Sequence, residues 1–236
     1  DNYYWLRERE NPDVIEYLEA ENRYTEAMMK HTEKLQDTLY EEMVSRIKQD
    51  DESVPYKLNG YYYYRKYEEG NEYPFYCRKK ESLDNEEEIM LNVEKMAEGY
   101  AFFNVGGYDV SPDNELIAYS VDTVSRRKYT IHVKNLMTGK IYEDNIPNTS
   151  GRVVWANDNQ TIFYSKKDET LRPHKIFRHK LGTPASEDVE VYHEADPTYV
   201  TFVYKSKSRK YLIIGSSSTM SSEFWILNAD DPTGEF

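Results

Sequence analysis

Cysteine is almost absent: Cys77 is the only one, so no internal disulfide can form and no cysteine-based zinc cluster exists. Nothing near Cys77 in sequence would lower its pKa, so it reads as a buried small apolar residue rather than a reactive thiol. No apolar run approaches the roughly 20 residues that a membrane-crossing helix needs. His174 and His179 stand apart from any cysteine or carboxylate at metal-binding spacing; both read as surface strand histidines, and neither a metal nor a cofactor is expected. Positive charge is in deficit, with 30 Lys and Arg against 43 Asp and Glu, a formal net charge of −13. Such a field disfavours nucleic acid and anionic membranes and favours basic partners. No signal peptide is visible, but the chain opens at Asp1 without methionine. A cytoplasmic location is the expectation, with the periplasm left open.

Tyrosine, by contrast, is abundant, and much of it is concentrated between Ser53 and Lys79. Tyr61-Tyr62-Tyr63-Tyr64, Tyr67, Tyr73 and Tyr76 fall in two runs around a charged turn, Glu68-Glu69-Gly70-Asn71-Glu72. Aromatic residues at this density suit a pleated, half-buried surface, and the glycine and asparagine give the turn its freedom. Glu86-Glu87-Glu88 reads as a solvated loop. Before this stretch the period is helical. Asn11 can cap a helix with Pro12 in its first turn. Val14, Leu18, Tyr24 and Met28 follow near helical spacing, and a second helix is expected from Thr32, with Leu35, Leu39, Met43 and Ile47 on one face. These 52 residues read as a helical hairpin whose apolar stripes need a cover, either the rest of the chain or another domain.

Beyond Ser53 a repeat emerges. Val110 to Ser120, Val154 to Ser165 and Val203 to Ile214 each run from an apolar start through a polar tight turn to an apolar strand. Ile117, Ile162 and Leu212 recur at intervals of about 45 to 50 residues, the spacing of propeller blades built from four short strands. The expected fold is therefore mainly β. It is a partial β-propeller over residues 53–236, with blades near 53–97, 100–146, 150–193 and 198–236, preceded by the helical segment 1–52. An unclosed set of blades leaves apolar faces and a strand edge exposed, so self-association is expected.

The order of motifs resembles the oligopeptidase B branch of the prolyl oligopeptidase family. The residues that carry the resemblance are Asp1-Asn-Tyr-Tyr-Trp-Leu6, Tyr17-Leu-Glu-Ala-Glu-Asn22, Tyr40-Glu-Glu-Met43, the tyrosine-rich stretch, Ser125-Arg-Arg-Lys-Tyr129, Trp155-Ala-Asn-Asp158 and Gly182-Thr-Pro-Ala-Ser186. Asn2 departs from the proline of the family opening. The resemblance implies about four blades of a seven-bladed propeller that caps an α/β-hydrolase domain in serine peptidases cleaving short peptides after arginine or lysine. It also implies that Tyr3, Trp5 and Leu6 pack on the hydrolase domain. Trp5 read alone is either a core anchor or a substrate-facing aromatic. No Gly-x-Ser-x-Gly elbow exists in the chain, and Gly215-Ser216-Ser217-Ser218-Thr219 lacks the second glycine. No catalytic residue is expected here. Arg126 and Arg127, in a predicted loop, read either as a clasp on peptide or on the hydrolase domain, or as solvated charges. Short basic peptides and the hydrolase domain are the expected partners. Prolyl oligopeptidase with post-proline specificity and a non-enzymatic interaction propeller remain the alternatives.

Overall fold

The computed structural model describes all 236 residues, which divide into two compact units, Asp1–Asp51 and Glu52–Phe236. In the first unit a 3₁₀ turn (Tyr4–Arg7) precedes helix α1 (Pro12–Met29). Asn11 caps α1 by accepting a hydrogen bond from the Asp13 amide at 3.0 Å, and Pro12 sits where a missing N–H costs nothing. Helix α2 (Glu33–Ser45) follows after one 3₁₀ turn, Lys30–Thr32.

This junction corrects the expected hairpin. Met29, Lys30, Thr32 and Glu33 keep right-handed helical dihedrals and His31 lies in the 3₁₀ turn between them, so α1 runs on into α2 with no intervening loop. Neither glycine nor proline lies there to break the helical run. Leu18, Met28, Leu35, Leu39 and Met43 remain exposed instead of packing helix against helix.

The second unit holds three antiparallel sheets. The first comprises β1 (Asp51–Glu52), β2 (Tyr56–Leu58), β3 (Tyr61–Tyr67), β4 (Phe75–Lys80) and β5 (Glu87–Asn92), ordered β1-β3-β4-β5 with β2 also on β3. Asn59 and Gly60 both adopt positive φ, 47° and 82°, which is how a two-residue turn joins β2 to β3. Tyr63 and Tyr64 point to opposite faces, as a strand's period of two requires. Tyr63 enters a core with Met90, Leu91 and Ile117, while Tyr64 packs with Phe75 and Cys77. Cys77 is fully buried, as its surroundings in sequence suggested, and burial pushes its thiol up to about 12.

The acidic run is a loop only at Glu86, which is exposed; Glu87 and Glu88 begin β5. Glu87 opens β5 and takes a 2.6 Å contact from Lys66 Nζ, and Glu88 accepts from Arg78 Nε at 2.7 Å. Arg78 on the adjoining β4 is buried, whereas Lys66, on β3 beyond it, is partly exposed. A short helix, α3 (Val93–Ala97), follows, capped by Asn92, which accepts from the Lys95 amide.

The second sheet has seven strands: β6 (Asn104–Val110), β7 (Leu116–Asp122), β8 (Tyr129–Asn135), β9 (Ile141–Trp155), β10 (Thr161–Lys167), β11 (Pro173–Lys180) and β12 (Val189–His193), hydrogen-bonded in sequence order. Strand β9 serves two groups. Its first part pairs with β8 and its last part with β10, the two registers meeting at Thr149. The third sheet is β13 (Val200–Lys205), β14 (Tyr211–Ser217) and β15 (Ser222–Asn228). No sheet closes on itself.

Apolar faces of successive strand groups bury one another. Ile117 and Tyr119 meet Tyr63 and Leu91; Ala118 and Val133 meet Trp155 and Ile162; Phe163 and Ile176 meet Val203, Leu212 and Ile214. Each large side chain so buried contributes about 1.5–3 kcal/mol.

The turns at one end are also linked. Asn59 Nδ2 donates to the Pro112 carbonyl at 2.6 Å, the Asp113 amide to Asn159 Oδ1 at 3.0 Å, and Asn157 Nδ2 to the Arg209 carbonyl at 3.1 Å. Asn114, Asn159 and Arg209 hold the left-handed position in the three equivalent turns, with φ of 67°, 57° and 64°. Thus the polar turns of the repeat tie neighbouring strand groups together as well as reversing the chain.

Candidate functional site

The loop that carries Arg126 and Arg127 joins β7 to β8 and is built on Asp122, which is buried. Asp122 Oδ1 accepts from the Val124 amide at 2.9 Å, and Oδ2 accepts from the Arg126 and Arg127 amides at 3.0 and 2.7 Å. Ser125 and Arg127 take positive φ of 59° and 54° to bring those amides inward. Both arginine side chains are left exposed.

Lys167 on β10 reaches across and donates to the Arg127 carbonyl at 2.6 Å, with its ammonium 5.7 Å from the centre of the Tyr129 ring. Burial, then the nearby Arg127 charge, hold Lys167 below the usual lysine range. The Tyr129 ring is wedged between two strands at glycines. A Cβ on Gly106 would come within 2.4 Å of the ring and one on Gly151 within 2.9 Å, so only glycine fits either place.

Beside this platform lies an open cleft of ≈410 Å³. Three cationic residues line it, Arg127, Arg152 and Lys167, together with Ser150 and Ser165, and no carboxylate does. Arg126 is outside the lining. The Ser150 and Ser165 hydroxyls are 2.6 Å apart and partner each other; neither bonds to a histidine, so no nucleophile–base pair is present there. The chemistry available is anion binding. A larger cleft, ≈510 Å³, involves Arg178, Trp225 and Phe236 but also Glu190 and Glu235, so neither sign of charge dominates it.

His179 is not on the surface. It is fully buried between two carboxylates, with Nδ1 2.6 Å from Asp188 Oδ1 and Nε2 2.9 Å from Asp144 Oδ1. Asp144 also accepts from the Gly182 amide, and Asp188 from the Tyr164 hydroxyl, both at 2.6 Å. Burial alone would discharge the imidazole, but the hydrogen bonds and charges of Asp188 and Asp144 outweigh it and raise its pKa. With both ring nitrogens engaged, His179 is a structural link and not a general base. Asp188 lies 9 residues on, in the turn before β12, and Asp144 lies 35 residues back on β9, so no local spacing announces them.

Tyr3, Trp5 and Leu6 belong to the first unit. Tyr3 is exposed, whereas Trp5 and Leu6 are half-buried. The Trp5 ring meets Tyr17 edge-on at 5.7 Å, which ties the opening segment to α1.

Antiparallel strand groups that repeat along the chain, stack face on face and present their loops together define a β-propeller domain. The chain belongs to the prolyl oligopeptidase family: residues 1–236 match its N-terminal beta-propeller domain. It is similar to dipeptidyl aminopeptidase BI of Pseudoxanthomonas mexicana, 42% identical over 98% of this chain and 35% of that protein. It is also similar to Protease 2 of Moraxella lacunata, 34% identical with the same coverage. Among solved structures it resembles oligopeptidase B from Leishmania major, with a TM-score of 0.91 and 36% identity over 97% of this chain and 33% of that one. The chain thus spans about a third of the length of the relatives it matches.

Proposed function

We propose that this chain is the propeller part of a serine oligopeptidase that cleaves short peptides after arginine or lysine. The propeller, about four blades of which are present here, restricts substrate size. The observation that carries this reading is the likeness to oligopeptidase B from Leishmania major over 97% of the chain at a TM-score of 0.91. In the parent protein a serine attacks the scissile carbonyl while a histidine, steadied by an aspartate, takes its proton. Those residues lie on an α/β-hydrolase domain outside this chain, and the chain alone is inactive.

On this reading Tyr3, Trp5 and Leu6 pack on the hydrolase domain, and Arg126 and Arg127 contact it or the peptide. The net charge of −13 favours basic peptides over nucleic acid or membrane, and the proposed location is the cytoplasm, with the periplasm as the alternative. The test is kcat/KM of the full-length protein on reporter peptides with arginine, lysine or proline before the bond. Preference for arginine or lysine is expected, and preference for proline would refute the specificity.

A second reading, release of N-terminal dipeptides, is favoured by the 42% identity to dipeptidyl aminopeptidase BI. Blocking the reporter's N-terminus abolishes turnover under that reading and spares it under the first.

A further inference from the structure

We propose that the cleft beside Arg127 binds the α-carboxylate of a short peptide, held by Arg127, Arg152 and Lys167, with the peptide's last side chain on the apolar wall opposite. This deepens the oligopeptidase reading above and rests on it.

Three independent features point there. The first is charge. Three cationic side chains line one cleft without an acid, in a chain where acids outnumber bases 43 to 30. Asp122 beneath the loop offsets part of the repulsion among them, an anion in the cleft would offset the rest, and arginine matches a carboxylate with two parallel hydrogen bonds.

The second is an unsatisfied hydroxyl. Thr201 on β13 lines the same cleft and is 2% exposed, yet its Oγ1 has no hydrogen-bond partner. A buried polar atom left without a partner costs free energy unless something else completes it. The Oγ1 atom is itself closed off from the cleft, so it accepts from the amide N–H of a peptide's last residue once the Thr201 side chain turns outward.

The third is the wall. Leu171, Pro173, Val200 and Phe202 supply apolar surface next to the cations. Phe202 reaches its place because Gly215 on β14 leaves room: a Cβ there would stand 2.4 Å from the ring. An inorganic anion has no use for such a wall, whereas a terminal residue with an apolar side chain fills it. The volume, ≈410 Å³, falls in the roughly 300–1,000 Å³ range of small-ligand sites.

The test uses the full-length protein and two short peptides of one sequence, each with an internal arginine and a final leucine, one ending in the free acid and the other in the amide. The acid is expected to show about tenfold higher kcat/KM, the worth of one charge-assisted contact. That ratio is expected to fall toward one in Arg152→Gln and, separately, in Lys167→Met, and to shrink in the near-isosteric Thr201→Val. An acid-to-amide ratio near one in the unaltered protein overturns the proposal, whatever the variants do. So does a ratio that survives both charge changes, or equal inhibition of both peptides by inorganic phosphate. If neither peptide is cleaved while a proline reporter is, the basic-specific reading fails on its own. Calorimetric binding then decides about the cleft: tighter binding of the acid peptide sustains it and equal affinities overturn it.

Discussion

His179 Nε2 sits 2.9 Å from Asp144 Oδ1 inside the stack of sheets, joining β11 to the opening of β9. With Asp188 on the other ring nitrogen, the cluster is a buried charge arrangement that works only when all its members are present. His179→Gln is expected to destabilise the fold by about 3–5 kcal/mol, because it leaves buried carboxylates without their cation. Denaturant unfolding of the variant against the parent checks it.

The same cluster gives a pH dependence with a definite sign. His179 has its pKa raised in the folded state, so its contribution is complete below the unfolded value of about 6.5 and fades as pH rises through the higher folded value. The unfolding midpoint is expected to decline across that window in the parent and to decline less in His179→Gln. Parallel pH profiles would show that the imidazole is already neutral in the fold.

Asp122 and the two arginines beside it are expected to separate stability from function. Asp122→Ala removes the acceptor of three loop amides and is expected to cost about 1–3 kcal/mol. The double change Arg126→Ala with Arg127→Ala touches only exposed side chains and is expected to leave the unfolding midpoint within about 0.5 kcal/mol while lowering kcat/KM of the full-length protein. Unchanged kinetics would make both arginines solvated charges.

Gly106→Ala is expected to cost about 1–3 kcal/mol by forcing the Tyr129 ring from its slot. Adding Tyr129→Leu should recover part of that loss, since the two changes share one space. Additive losses in a double-mutant cycle would place the strain elsewhere.

The 236-residue chain on its own is expected to self-associate. Strand β15 pairs only with β14, and its Phe224 and Ile226 are exposed, so its outer edge offers a template to another copy. Light scattering should show mass rising with concentration, and Ile226→Lys should suppress the rise. A monomer at all concentrations would mean that the edge is already protected.

Much of this architecture is legible in local sequence. The Asn11–Pro12 start of α1, the β3 and β4 tyrosine strands and the repeated Pro112-Asp113-Asn114 and Asn157-Asp158-Asn159 turns are signals that depend only on neighbours. Helix α3 was also encoded locally, by the Asn92 cap and Gly99 at φ 85°, but its five residues are too few to show a helical period. What stayed hidden depends on distant partners. Nothing near His179 in sequence indicates Asp144, and nothing near Glu88 marks the buried Arg78 on the adjoining strand. The cleft is hidden for the same reason: Arg127, Arg152, Lys167 and Thr201 come from separate elements, and only Arg127 lay in a motif that stood out.

Strand β9 gives the two middle strand groups a shared fate. Thr149 is the register partner of Tyr129 on one side and of Lys166 on the other, so fraying at that point releases both ladders together. Amide protons of β8 and β10 should therefore exchange with solvent through one common opening rather than two, and the smallest piece able to come apart there is a pair of strand groups. Stacked repeats usually part at their joints; here the joint is itself a strand.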